Sequence, residues 1–195
     1  PHGYAAATSD STGNWDAGLA GIGQWTPISR MTFKNHGCCG HIFPTLDGLR
    51  SVQAAQTFGP EDVAAIAIAG YGATVAICDR MQVETPRDAR FSVQYCVAAL
   101  MHMGGVRLAA FGPDALARAD LRAFMPKVTV HEDQSITAAY PAKRQAGLTI
   151  TLTSGDVITH FQPTRKGDPD DPLTDADLLE KYDELTAGVL TPTEA

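Results

Sequence analysis

No apolar run in this 195-residue chain approaches the roughly 20 residues that a helix needs to span a bilayer, so a helical membrane protein is not expected. A basic surplus is missing as well. Against 22 Asp plus Glu there are only 15 Lys plus Arg, and the net charge is −7. Sequence-independent nucleic-acid binding requires a cationic surface that displaces counterions, so nucleic acid is not an expected partner. The opening Pro1-His2-Gly3-Tyr4 has no basic start and no apolar stretch, hence no secretory signal. It also has no initiator methionine, which points to a start inside a longer chain or after processing. Cysteine is scarce: Cys38, Cys39, Cys78 and Cys96. Adjacent Cys38 and Cys39 cannot readily bridge each other, and no secretory context supports a disulfide framework, so a reduced, cytoplasmic setting is expected. No Cys-x-x-Cys or His-x-x-x-His spacing marks a closed zinc site, and no glycine-rich phosphate loop or dinucleotide fingerprint occurs. These motifs thus point to no zinc site or nucleotide cofactor, and internal repeats and low-complexity tracts are missing too.

What is present describes a packed globular chain: 44% apolar and 19% charged residues. The first 25 residues read as loops with one helical turn near Trp15–Leu19. Alternation predicts a strand from Trp25 to Phe33, followed by a Gly/Cys-rich turn from Gly37 to Gly40. Leu46, Leu49 and Val52 fall on one face of a helix over 45–57, with Pro44 at its start. Val63–Ala69 reads as a strand, and Ala73–Cys78 as its extension or a separate strand. A long helix is expected over 88–103, with Phe91, Tyr95, Ala98, Ala99 and Met103 at helical spacing and Gly104-Gly105 as its stop. Another helix is expected over 113–124. Val128–His131 alternates as a strand. Gly147–Thr153 and Val157–Phe161 alternate on either side of Ser154-Gly155-Asp156, a hairpin. After the acidic stretch Asp168–Pro172, Thr174 with Asp177 forms a capping box for a helix reaching toward Leu190. Helices intermixed with an antiparallel hairpin give an α+β class, a small mixed or antiparallel sheet packed with helices.

The densest group of reactive side chains is Lys34-Asn35-His36-Gly37-Cys38-Cys39-Gly40-His41. Lys34 suits a substrate carboxylate, because a compact ammonium tolerates many anion geometries. His36 and His41 can move protons near neutral pH. Cys39 becomes a nucleophile if its pKa is lowered. The competing reading is a tight turn with a buried cysteine and solvent-facing histidines, and a thiol or metal site at Cys38, Cys39 and His41 is a third. Tyr95 is either a phenol that donates to substrate or an aromatic core residue. His102 reads as a helix C-terminal cation, His131 and His160 as surface or satisfied structural groups, and Cys78 and Cys96 as small buried hydrophobes.

Three segments in order carry a resemblance. Lys34 precedes Cys38-Cys39-Gly40 and Pro44. Then comes Asp88-Ala89-Arg90-Phe91-Ser92-Val93-Gln94-Tyr95, and last Lys166-Gly167-Asp168-Pro169-Asp170-Asp171-Pro172-Leu173 with Lys181-Tyr182. Together, over about Gly21 to Leu185, the chain resembles the MmgE/PrpD family of 2-methylcitrate dehydratases, cis-aconitate decarboxylases and iminodisuccinate epimerases. The resemblance implies a larger all-helical domain joined to a smaller α+β lid, with the active site between them. On that basis 1–24 is a remnant of the helical domain, 25–165 is the lid, and 166–195 returns to the helical domain. It further implies a cofactor-independent lyase, most nearly a dehydratase, that abstracts a proton beside a carboxylate of a small di- or tricarboxylate. Decarboxylation, epimerisation and a non-catalytic carboxylate-binding or interaction module are the alternatives. The implied partners are the polycarboxylate, the helical domain of the same enzyme, and a second copy in a homodimer, and the lid alone is expected to be catalytically incomplete. By the same resemblance Lys34 and His36 bind substrate, while Tyr95, Cys39 and His41 line the reacting end. Cys39 stands where some decarboxylase-like members have histidine. Phe43 stands where many members have histidine, and His41, two residues earlier, is the candidate replacement.

Overall fold

The computed structural model describes residues 14–24 and 26–191. They divide into two compact units, one up to Met31 and one from Thr32 onward. The first unit holds α1 (Trp15–Leu19), where the Asn14 side chain accepts the Ala17 N–H at 3.0 Å. The expected strand at 25–33 does not form. Pro27–Arg30 is a 3-10 turn, because Pro27 fixes φ and has no N–H for a ladder; Trp25 itself lies outside the described residues.

The second unit is α+β, as the alternation and helical spacings required. Its helices and strands run α2 (Phe43–Ala55), β1 (Val63–Gly70), α3 (Gly72–Cys78), α4 (Pro86–Arg90), α5 (Val93–Met103), α6 (Pro113–Ala117), α7 (Ala119–Phe124), β2 (Val128–Glu132), α8 (Gln134–Ala139), β3 (Ala146–Leu152), β4 (Val157–Gln162) and α9 (Asp175–Thr186). The sheet order is β2-β1-β3-β4. β1 is parallel to β2, and the β1–β3 and β3–β4 pairs are antiparallel. The hairpin forms as the alternation predicts, with Ile150 opposite Ile158 and Leu148 opposite His160. Ile66 pairs with both Val128 and Ile150, and Ile68 with Val130 and Leu148, so two apolar rows cross the sheet on one face.

Two helices cover that face: α2 lies against β3 and β4, and α5 against β2. Leu46 and Leu49 on α2 are fully buried, and each such side chain contributes about 1.5–3 kcal/mol. Gly48 is what lets α2 come this close, since a Cβ there would lie 2.9 Å from Leu148 Cδ1. Every residue of α5 from Val93 to Met101 is buried, because α2 and α7 pack against it as well as the sheet.

Three further expected elements differ. Ala73–Cys78 is helical, not a strand: the Tyr71 carbonyl accepts from the Thr74 and Val75 N–H groups and starts a turn where β1 ends. The single helix over 88–103 is two, because Ser92 opens α5 as its own N-cap, accepting the Tyr95 N–H at 3.0 Å. The helix over 113–124 also breaks, at Arg118, whose backbone is extended and whose guanidinium pairs with Asp120. One helix had no counterpart in the sequence reading: α8, where the Asp133 carboxylate caps the Ser135 and Ile136 N–H groups. The Thr174–Asp177 capping box on α9 is present in both directions. No described helix is long and apolar enough to cross a membrane.

Candidate active-site loop and its surroundings

The stretch from Asn35 to Ile42 carries no regular structure, and its backbone is fixed by hydrogen bonds to the body of the unit. Gly37 N–H donates to Val106 C=O at 2.7 Å, Cys39 N–H to Arg90 C=O at 2.8 Å, and Ile42 N–H to Cys39 C=O at 3.0 Å. Side chains add further ties. Asp47 on α2 is 8% exposed, meets His36 Nε2 at 2.9 Å and accepts the Lys166 N–H at 2.9 Å. One carboxylate therefore joins the loop, α2 and the 165–171 segment. Arg165, also 8% exposed, donates to the Gly40 carbonyl at 3.3 Å and to Thr32 Oγ1 at 2.8 Å, and holds Asp168 through two N–H groups. Gly167 N–H and C=O complete this corner: its carbonyl accepts the Phe33 N–H at 2.8 Å, and at φ +95° a Cβ would strike the Phe33 carbonyl.

The five residues singled out from the sequence separate into three places. Lys34 and His36 line a cleft of about 260 Å³ between the loop and α9, together with Cys38, Arg107, Lys181 and Glu184. Arg107 is engaged there, donating to Asn35 and pairing with Glu180 and Glu184. Lys181 donates to the Lys34 carbonyl at 2.8 Å, so α9 closes one side of this cleft. His36 is 3% exposed and occupied by Asp47, which makes it a structural tie within the loop.

Cys39 and His41 are half-buried and do not line that cleft. The Cys39 thiol is lowered to about 6, first by a hydrogen bond from the Cys78 thiol, then by the His41 N–H and the charges of Lys34 and Arg165, with burial opposing. Cys78 is pushed up by the same bond and by burial. Cys96 is pushed up by burial and by its bond to Cys38. The four cysteines are thus free thiols arranged in two contacting pairs. Among the described residues no three His, Cys, Asp or Glu side chains converge as a metal site requires.

His41 Nδ1 lies 2.8 Å from the Tyr71 hydroxyl. Tyr71 stacks on Tyr140 with ring centroids 4.6 Å apart, and Arg144 sits over the Tyr140 ring at 5.7 Å. Burial lowers the His41 pKa from its ordinary 6.5, reinforced by Arg144, Arg165 and Lys34. The ring is therefore neutral at pH 7.

Tyr95 is elsewhere. It is fully buried, its hydroxyl donates to the Ala110 carbonyl at 2.7 Å, and its ring lies beside Phe111. The structure places it in the core and does not bring its hydroxyl to the loop. Phe43 is fully buried too, edge-on to His36 and beneath Arg165.

Sequence reasoning missed Asp47, Tyr71, Tyr140, Arg144 and Arg165. Asp47 had a signal, an acid inside the apolar face Leu46–Leu49. Tyr71 and Tyr140 had none, because Tyr71 at the end of β1 meets Tyr140 at the end of α8 only once β2 pairs with β1 and α8 is tied back to Gly72 through Thr137. Segment 166–191 lies in the same compact unit as the loop it ties.

No curated protein matches the chain. A family model described as the MmgE/PrpD C-terminal domain matches residues 36–195, which include the loop from His36 onward, α2 and the sheet. The match takes in most of the chain and all of the second unit except its first few residues, and on it the chain belongs to the MmgE/PrpD family and carries that family's C-terminal domain.

Proposed function

We propose that the chain is the substrate-clamping part of a cofactor-independent lyase acting on a small di- or tricarboxylate, a dehydratase of the 2-methylcitrate type. The observation that carries this reading is the charge around the Cys39–His41 loop. Lys34 and Arg144 both act electrostatically on His41, and among the described residues neither cation has a carboxylate partner. In a chain of net charge −7, two cations without an ion-pair partner that act on one imidazole favour an anion with more than one carboxylate. Fixed charge of this kind stabilises the carbanion-like state that forms when a proton leaves the carbon beside a carboxylate. Lys34 holds a carboxylate, His41 contacts a substrate oxygen, and Cys39 supplies a group that takes up or releases a proton near pH 6.

His36 is occupied by Asp47 and Tyr95 is buried in the core, so neither is available as the carbon base. We therefore assign that base to the helical domain that family members carry, and expect this chain alone to give no significant turnover. The test is an assay of the chain joined to such a helical domain on 2-methylcitrate, cis-aconitate and iminodisuccinate. Turnover of the first identifies dehydration, and turnover of another identifies the decarboxylase or epimerase alternative. In the active assembly Lys34→Ala is expected to raise KM at least about tenfold, or ~1.4 kcal/mol of binding. No turnover and no calorimetric binding of any polycarboxylate would overturn the reading. Binding by the 195-residue chain without turnover in the assembly would instead support a carboxylate-binding module.

A further inference from the structure

The hydrogen bond between His41 and Tyr71 can be made in two ways, and they give the imidazole opposite chemistry. If the phenol donates to Nδ1, the ring's proton sits on Nε2 and the free edge of the ring is a hydrogen-bond donor. If Nδ1–H donates to the phenol oxygen, Nε2 is bare and the free edge is a base. Nε2 has no partner among the described residues, so the tautomer decides what the site offers a ligand.

We propose that Tyr71 is a positioning residue that donates its phenol proton to His41 Nδ1 and fixes the ring as the neutral Nε2–H tautomer, an electrophilic donor toward a substrate oxygen. Three observations support this assignment. First, Tyr71 is completely buried, so its proton must be delivered to a protein acceptor, and His41 Nδ1 at 2.8 Å is the acceptor in place. A phenol is a stronger acid than a neutral imidazole N–H, and an imidazole nitrogen is a stronger acceptor than a phenol oxygen, so the bond is best made in this direction.

Second, the ring pair is held rigidly. Tyr71 follows the last residue of β1, its carbonyl starts α3, and its face is stacked on Tyr140, itself covered by Arg144. The Thr74 hydroxyl donates to the His41 carbonyl at 3.4 Å, which ties the His41 backbone to the start of α3. Third, the cations Arg144, Arg165 and Lys34 all disfavour a second proton on His41. Together with burial they keep the ring neutral, and burial pushes the Tyr71 phenol up to about 12, so the donor keeps its proton through the physiological range. A neutral imidazole that donates is suited to a developing oxyanion, because it stabilises charge without adding a cation that would be costly to bury.

This inference concerns the same site as the proposed lyase reading and rests on it only for the identity of the oxygen that His41 would meet. The tautomer can be tested without any activity. Long-range proton–nitrogen correlation spectra of the 195-residue chain labelled on histidine read it directly, with His41→Gln used for assignment. The expected result is a pyrrole-type Nε2 and a pyridine-type Nδ1 for His41. In Tyr71→Phe, which keeps the stacking ring, the two nitrogens should average and the His41 pKa should rise, since a bond that stabilised the neutral form is gone. A wild-type Nδ1–H tautomer, or a His41 pKa that stays or falls in Tyr71→Phe, overturns the proposal. The wild-type spectrum decides even if the variant fails to fold. Failure of the lyase assay with the Nε2–H tautomer present would refute the functional reading and leave this one standing.

Discussion

A cysteine with an ordinary pKa is a poor nucleophile at pH 7, and Cys39 is not ordinary. Its thiolate receives the Cys78 thiol and the His41 N–H, with Lys34 and Arg165 nearby, and together these outweigh burial. Because the folded pKa is depressed to about 6, the thiolate is present above that value and is lost as pH falls through it. Alkylation by iodoacetamide under native conditions should therefore be fast at one cysteine, with a rate that reaches half its plateau near pH 6. Peptide mapping should find Cys39, and Cys39→Ser should abolish the fast phase. Cys38, Cys78 and Cys96 are buried and should react only on unfolding. A half-plateau near the ordinary thiol value of 9.0 would refute this account of the loop. Residue identity was enough to mark Cys39 and His41 as candidates. It could not tell Tyr95 from Tyr71, because both are tyrosines near helix starts, and only the fold spends one hydroxyl on Ala110 and aims the other at His41.

At the scale of elements, Ser92 decides where α5 begins and so where Tyr95 and Cys96 point. Its hydroxyl accepts the Tyr95 N–H and donates to the Arg80 carbonyl at 2.6 Å, tying the 79–85 connection to the helix. Ser92→Ala removes both bonds from a fully buried position, and about 1–3 kcal/mol of stability should be lost in urea titration. Ser92→Thr should recover most of it if the larger side chain fits, because the cap is restored. A loss below about 0.3 kcal/mol would show that α4 and α5 are set by packing alone. Most element types were legible: α2, β1, β2, α9 and the β3–β4 hairpin follow from spacing, caps and alternation. The failures share a cause. Periodicity runs through Phe91-Ser92 and through Arg118 without interruption, so a local pattern reads one helix, while cap and ion-pair geometry makes two. The helical conformation of α3 was set by where β1 ends, which a seven-residue alanine-rich pattern does not encode.

For the molecule as a whole, the decisive tie is Asp47. It meets His36 in the loop and Lys166 in the 165–171 segment, parts of the chain 130 residues apart, while itself packed on α2. Asp47→Ala leaves the His36 ring and the Lys166 N–H without their buried acceptor and should cost about 2–5 kcal/mol. Hydrogen exchange should then quicken together at Gly37 and Cys39 in the loop and at Gly167 in the 165–171 segment, the two parts that Asp47 joins. Exchange confined to α2 would show that the tie is local. The C-terminal stretch with α9 belongs to this arrangement, through Lys181 on the Lys34 carbonyl, Glu184 on Arg107, and Lys166 with Asp177 at 3.0 Å.

By itself the sequence determined the α+β class, the hairpin, the helix faces, the acid balance that disfavours nucleic acid, and the order of motifs that marks the family. These depend on short-range spacing and on residue chemistry, which a linear pattern carries in full. Only the tertiary structure decided which of the marked residues share a site. That choice depends on β1 and β2 lying side by side, which brings Tyr71 and Tyr140 to one place, and on the 165–171 corner folding back over the loop to deliver Arg165. Such meetings join positions tens of residues apart in sequence, and no spacing along the chain records them.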